Sequence, residues 1–253
     1  MSPKPKVEAF LKKQIKRHGT ICAALIDPED FSPAKAADTA QAAAKAGVSI
    51  ILVGGSTVSD QVRLNQVVRA IKRRVTLPVM LFPNNVTGVS RYADAILFSS
   101  LLNSTNPYFI VGAQALGAME VFKSGLESIP MGYLVFGGSS ATSFIGQVNP
   151  LPLPKPALAV IYALAARYLG MRTLYLEAGS GASDTIPTQT IELVRRFYDG
   201  ILIVGGGITS ADRAERIAKA GTDILVIGNL LQTNGYEKAL RQIVAAIERR
   251  QRH

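Results

Sequence analysis

Tryptophan is absent from this chain of 253 residues, cysteine occurs once, at Cys22, and histidine only at His18 and His253. Each shortage removes a class of explanation. A single cysteine cannot form an internal disulfide, which fits a reducing compartment and a cytoplasmic protein. Two histidines near the chain ends leave any central pocket without a histidine acid or base. The net charge of +10 lies mostly in Lys12 to His18, Lys72 to Arg74 and Glu248 to His253. No aromatics are interleaved in those runs to stack on bases, so nucleic acid is not the expected partner. The longest apolar stretch, Ala157 to Gly170, contains Arg167 and falls short of the roughly 20 residues a membrane-spanning helix needs. The basic N-terminus carries no apolar signal core, so nothing directs export. A G-x-G-x-x-G fingerprint opening the first helix is missing, which argues against a nicotinamide enzyme.

What the sequence does contain is regular. Short β-branched runs alternate with helical patterns: Thr20 to Asp27, Ser49 to Gly55, Pro78 to Asn84, Ala95 to Ser100, Met131 to Gly138, Thr173 to Gly181, Ile201 to Gly207 and Asp223 to Asn229. Helices are expected over Pro33 to Ala46, to about Arg73, from about Pro107, from Ala157, over Thr188 to Tyr198, from Ser210, and after the last strand. Proline and glycine are spread as punctuation and no linker appears, so residues 1–253 read as one domain. Eight such units predict an α/β fold, a (β/α)8 TIM barrel, with a doubly wound open sheet as runner-up. Only Val86 to Ala95 separates the third strand from the fourth, too little for a crossover helix with its loops. The third crossover helix is therefore expected to be missing or replaced, leaving an apolar groove on the side of the barrel.

Polar residues ending the strands should converge on one pocket. Gly205 to Gly207, where a strand gives way to a helix, suit a phosphate, because glycine lets backbone N–H groups approach and the helix N-terminus adds positive charge. They occupy the seventh loop and Gly228 and Asn229 the eighth, where such barrels commonly hold phosphate. Asp27, across the mouth from them, and Ser56 offer hard oxygen ligands suited to Mg²⁺, although Asp27 before Pro28 also suits a turn cap. Glu177 ends an apolar strand, where a lone carboxylate is costly to bury. It reads either as paired to Arg172 or Arg195, or as a general base. Tyr175 faces the same way by period two and could bond a substrate hydroxyl. No DDxxD-type aspartate cluster is present, which excludes the all-helical prenyltransferases.

The ordered segments LIDPED, ILVGGST, LFPNN, SLLNSTNPYFIVGAQ, YLEAGSGA, GGGITS and IGN cover nearly the whole chain. They resemble the geranylgeranylglyceryl phosphate synthases of archaea and the related heptaprenylglyceryl phosphate synthases of bacteria, and within them the larger archaeal group. The resemblance implies transfer of a geranylgeranyl group from geranylgeranyl diphosphate to the sn-3 hydroxyl of sn-glycerol 1-phosphate, with Mg²⁺ as cofactor, forming the first ether bond of archaeal lipids. It implies metal contacts at Asp27 and Ser56. Glycerol phosphate contacts would fall on Tyr175, Leu176, Glu177, Ala178, Gly179, Ser180 and Gly181, with Gly206, Gly207, Gly228 and Asn229. Glu177 would accept the proton, assisted by Tyr175. The prenyl chain would lie in the side groove, past Tyr92 and Phe98. A homo-oligomer is implied, hexamer ahead of dimer, with Phe144 as a candidate anchor, and the basic termini suit peripheral contact with an anionic membrane. The same chemistry with a different prenyl length, or a phosphate-binding barrel isomerase, are the alternatives.

Overall fold

The computed structural model describes residues 6–57, 60–137, 140–179, 182 and 184–248. Helix α1 (Val7–His18) leads into strand β1 (Ile21–Ile26), then α2 (Pro33–Lys45), β2 (Ile50–Val53), α3 (Gln61–Arg74) and β3 (Val79–Leu81). There the alternation breaks: a 3₁₀ turn, Val86–Gly88, is all that precedes β4 (Ala95–Leu101). A π-helical turn (Tyr108–Gly112) runs into α4 (Ala113–Lys123), followed by β5 (Glu127–Val135), the short α5 (Ala141–Ile145) and α6 (Pro156–Tyr168). The rest is β6 (Thr173–Glu177), α7 (Thr188–Phe197), β7 (Ile201–Gly205), α8 (Ala211–Lys219), β8 (Ile224–Ile227), a 3₁₀ turn (Asn229–Gln232) and α9 (Tyr236–Glu248). All eight strands pair in parallel in sequence order, and β8 pairs with β1, closing the barrel. The fold is the expected TIM barrel, with the third crossover helix replaced by the 3₁₀ turn.

Alternation along each strand divides the apolar residues into two layers. In β2, Ile50 and Leu52 belong to the cluster inside the barrel, while Ile51 and Val53 belong to the one between barrel and helices. Truncating such a residue to alanine costs about 2–5 kcal/mol, because the void left behind only partly collapses. Helix starts are set locally. Ser32 caps α2 by accepting from the Lys35 N–H with Pro33 at the first position, Asp60 caps α3, and Ser210 caps α8 through the Arg213 N–H.

Two features depart from the expectations. Strand β5 starts at Glu127, four residues before Met131, because the segment pairs with β4 along its full length despite containing Pro130. Helix α1, which the basic run concealed, inserts Val7 and Leu11 into the interior cluster and closes the N-terminal end of the barrel. Its first turn is held by Glu127, whose carboxylate accepts from the backbone N–H groups of Lys6 (2.9 Å) and Glu8 (3.1 Å). Among the described residues, no helix is long and apolar enough to cross a membrane.

Candidate active site

The strands end around one cavity of about 560 Å³. Asp27 follows β1 and Ser56 follows β2, while Glu177 closes β6, three and four strands away around the ring. Tyr175, Gly206, Gly207, Gly228 and Asn229 line the same cavity. Sequence reasoning therefore brought these eight positions together. Leu176 lies between Tyr175 and Glu177, and its side chain faces the opposite way, into the layer beneath the helices. The Ala178 and Gly179 N–H groups are engaged within the protein, donating to the Gly205 carbonyl (3.1 Å) and to Glu177 Oε1 (2.7 Å). Ser180 and Gly181 lie outside the described residues.

The glycines after β7 have a steric reason to be there. Gly206 and Gly207 sit at φ +87° and +67°. A Cβ on Gly206 would stand 2.7 Å from Glu177 Oε1, and one on Gly207 would stand 2.7 Å from the Asp184 carbonyl oxygen. The loops after β6 and β7 thus press backbone against backbone, and only glycine permits it. Helix α8 begins just beyond, so its N-terminal partial charge sits at the cavity rim.

Glu177 is almost fully buried, and burial raises its carboxyl above the usual carboxylate range against the opposing hydrogen bonds from the Gly179 N–H and the Tyr175 hydroxyl. Neither arginine considered as its partner reaches it: Arg172 pairs with Glu8 and Arg195 with Asp223. The carboxylate instead accepts from the Tyr175 hydroxyl, whose ring belongs to an aromatic cluster. Tyr175 stacks on Phe82 with centroids 5.2 Å apart, and Tyr133 meets both edge-on at 5.2 and 5.3 Å. Burial and the adjacent Glu177 charge hold Tyr175 protonated, so it donates to the carboxylate. Phe82 and Tyr133 were not anticipated.

On the other side, burial pushes the Asp27 carboxyl up to about 6. Asp27 does cap a turn, accepting the Glu29 N–H at 2.9 Å, yet it also faces the cavity. Its approach requires Gly55, where any Cβ would overlap the carboxylate. Ser56 Oγ lies 2.8 Å from Thr142 Oγ1, and Thr142 in turn bonds the Tyr133 hydroxyl. Asn84 donates to the Ser56 carbonyl at 2.9 Å, and its own Oδ1 is buried without a partner. Among the described residues, no three His, Cys, Asp or Glu side chains gather to hold a metal alone. A half-buried carboxylate without an ion-pair contact, a hydroxyl and an orphaned amide oxygen make up an all-oxygen donor set. Such a set fits an ion that takes its remaining ligands from water and a bound phosphate, as Mg²⁺ does.

From this polar chamber the cavity continues as an apolar arm between β4 and α4, where the crossover helix is missing. Ile96 and Phe98 form one wall, Val86 and Val89 a second, and Gly117 and Val121 a third. Phe98 is where it was expected. Tyr92 lies outside the arm, its ring flanked by the guanidinium groups of Arg69 and Arg91.

Residues 13–247 match the PcrB family. The geranylgeranylglyceryl phosphate synthase of Nitrosopumilus maritimus is 49% identical over 244 residues, spanning 96% of this chain and 98% of the relative. That of Cenarchaeum symbiosum is 51% identical over 241 residues, spanning 95% and 98%. Among solved structures, the (S)-3-O-geranylgeranylglyceryl phosphate synthase of Thermoplasma acidophilum, in complex with its substrate sn-glycerol-1-phosphate, superposes with a TM-score of 0.91 at 36% identity, covering 94% and 98% of the two chains. A thiamine phosphate pyrophosphorylase from Pyrococcus furiosus, at 12% identity and a TM-score of 0.62, shares the fold.

Proposed function

The chain belongs to the PcrB family, and from that premise we propose that it is a geranylgeranylglyceryl phosphate synthase, joining the geranylgeranyl group of geranylgeranyl diphosphate to the sn-3 oxygen of sn-glycerol 1-phosphate. The observation that carries this reading is the shape of the cavity. A polar chamber with a buried carboxylate opens into an apolar arm, which suits a small phosphorylated acceptor and a long hydrocarbon donor.

The acceptor's phosphate is assigned to Gly206, Gly207, Gly228 and Asn229, beside the start of α8, where backbone N–H groups and the helix dipole favour an anion. Its sn-3 hydroxyl then lies near Glu177, whose carboxylate takes the proton as the oxygen bonds to C1 of the prenyl group. The C1–oxygen bond to the diphosphate breaks, and the electron pair leaves with the diphosphate. Tyr175 orients Glu177 through its hydrogen bond, and the aromatic floor excludes water from the allylic carbon. Asp27 and Ser56, with Asn84 beside them, would hold Mg²⁺, which when bound supplies neutralisation of the departing diphosphate charge.

We assign the protein to the cytoplasm as a homo-oligomer, hexamer ahead of dimer. Exposed Leu116, Met119 and Phe122 on α4, with Ile161, Tyr168 and Leu169 at α6, support self-association, and Phe144 on α5, 88% exposed, is the candidate anchor for the larger assembly. The lysines of α1 support peripheral contact with an anionic membrane. The deciding experiment incubates purified protein with sn-glycerol 1-phosphate and geranylgeranyl diphosphate, with Mg²⁺ or with EDTA. Transfer that needs Mg²⁺ and fails with sn-glycerol 3-phosphate is expected. Absence of transfer from any prenyl donor to either enantiomer would overturn the reading.

A further inference from the structure

The loop between β1 and α2 turns sharply at Asp27, and Asp27 itself makes the hydrogen bonds inside that turn. Its Oδ1 accepts the Glu29 N–H at 2.9 Å, and its carbonyl accepts the N–H groups of Asp30 and Phe31 at 3.2 and 3.3 Å. The carbonyls of the same turn need donors from elsewhere. One side chain supplies them. Arg63, half-buried in the first turn of α3, donates from Nε to the Pro28 carbonyl at 2.5 Å and from Nη2 to the carbonyls of Glu29 (3.3 Å) and Phe31 (3.4 Å). A guanidinium suits this task, because its donors sit in a rigid fork that spans several acceptors at once, whereas an ammonium on a flexible stem is a single point.

The position of Arg63 in the fold gives these contacts a consequence. Helix α3 follows Ser56 in the chain, so Arg63 ties the loop after β1 to the segment after β2, the two places that supply Asp27 and Ser56. On its other side the Asp27 carboxylate packs against the backbone of Gly55, where a Cβ would overlap Oδ2. One carboxylate oxygen is thus held by the Glu29 N–H, and the other lies against the residue that precedes Ser56. That orientation lasts only while the turn keeps the Glu29 N–H in place, and the turn is braced from outside by Arg63.

We propose that Arg63 is a positioning residue for the transfer reaction: by bracing the turn that starts at Asp27, it fixes the Asp27 carboxylate beside Ser56 and so sets the affinity of that site for Mg²⁺. This rests on the assignment of Mg²⁺ to Asp27 and Ser56. Arg63 is not among the residues that line the cavity, so it acts through the turn. Groups that orient a metal ligand in this way are commonly worth about 10- to 100-fold in metal affinity.

The test uses the full chain and its Arg63→Gln and Arg63→Lys variants, with Glu127→Ala, at the far end of the barrel, as a control that lowers stability without reaching the site. Two quantities are titrated with Mg²⁺: the rate of transfer from geranylgeranyl diphosphate to sn-glycerol 1-phosphate, and the rise in Tm of the protein with no substrate present. Arg63→Gln should need at least about tenfold more Mg²⁺ to reach the midpoint of both, with KM for glycerol phosphate within about twofold and kcat at saturating Mg²⁺ within about threefold of the wild type. Arg63→Lys should fall between the two, because an ammonium replaces only part of the fork, and it decides the matter if Arg63→Gln fails to fold. Glu127→Ala should keep the wild-type midpoints. Arg63 variants that keep them too, whatever their loss in Tm, would overturn the proposal and leave the metal assignment standing, as would an equal shift in Glu127→Ala. A wild type that ignores Mg²⁺ in both measurements would overturn the metal assignment, and the proposal with it.

Discussion

The two ends of the barrel hold carboxylates of the same chemical type under opposite conditions. At the N-terminal end each has partners. Glu127 accepts backbone N–H groups of α1, Glu8 lies 2.9 Å from Arg172 and 2.8 Å from Lys12, and Asp223 lies 2.8 Å from Arg195. At the C-terminal end Glu177 is buried and Asp27 half-buried, with no basic side chain in ion-pair contact among the described residues. The consequence shows in their acidities. Burial would raise Glu8, but the hydrogen bonds and charges of Lys12 and Arg172 outweigh it and leave the carboxyl below its usual range. Burial dominates at Asp27 and Glu177, and both rise. A compensated carboxylate stabilises the fold, whereas an uncompensated one stores a cost that a cation or a proton can relieve, which is what a reacting site needs.

The contrast is broken most severely at Glu177. Glu177→Gln keeps the shape and removes the proton acceptor, so kcat should fall by about 10²–10⁴-fold. Tm should hold or rise, since the amide carries no charge to bury. In the wild type, kcat should climb with pH as the raised carboxyl ionises, and the variant should lose that limb. A variant that keeps wild-type kcat would remove Glu177 from the chemistry.

Asp27→Asn comes next, with activity in Mg²⁺ down about 10²-fold. Its stability effect has a definite sign. The folded carboxyl, near 6, lies above its ordinary value of 3.8. Its favourable contribution is therefore complete below about pH 3.8 and is lost as pH rises through about 6. In metal-free buffer the variant's Tm should match the wild type near pH 4 and exceed it by roughly 3–6 °C at pH 7. Saturating Mg²⁺ should narrow that gap by stabilising the wild type. A gap that is flat with pH would show that Asp27 is not held in the uncompensated state.

Most of the barrel was legible because strand periodicity survives in the sequence. Ile50 to Val53 reads as a strand from its own residues, and the short spacing from Val86 to Ala95 exposed the missing crossover helix. The polar residues at strand ends were legible for the same reason, since Asp27, Ser56 and Glu177 each end an apolar run. What stayed hidden depends on distant partners. Helix α1 is fixed by Glu127, 119 positions beyond Glu8, and its charged face masks the two residues, Val7 and Leu11, that plug the barrel. Tyr133 could have been placed facing inward by its two-residue spacing from Val135, but its contact with Tyr175 follows from pairing between β5 and β6. Thr142 reaches Ser56 only because α5 folds over the mouth.

At the compensated end, Glu127→Ala should leave the first N–H groups of α1 without their acceptor. The loss is about 2 kcal/mol, or roughly 4–8 °C in Tm, with activity per folded molecule unchanged. Equal Tm with lower kcat would mean that the two ends are coupled rather than separate.

The smallest effect is expected at Arg172→Met, and its sign with pH is the sharpest check on the contrast. The arginine side chain is about half exposed, at 47%, and Glu8 keeps Lys12 at 2.8 Å when Arg172 is gone. Solvent screening limits the loss to about 1 kcal/mol or less, and 1 M salt should remove most of it. Because the Glu8 carboxyl is lowered on folding, its stabilising contribution is present above its ordinary value of 4.5 and disappears as pH falls through the folded value. The Tm difference between wild type and Arg172→Met should therefore be largest at neutral pH with the wild type ahead, and close as pH falls below 4.5. The Asp27→Asn difference closes at higher pH, between about 6 and 3.8, and with the opposite sign, because there the variant is ahead at neutral pH. Thermal melts of both variants across one pH series measure the two ends with a single observable. Two differences of the same sign at pH 7 would mean that charge compensation does not distinguish one end of this barrel from the other.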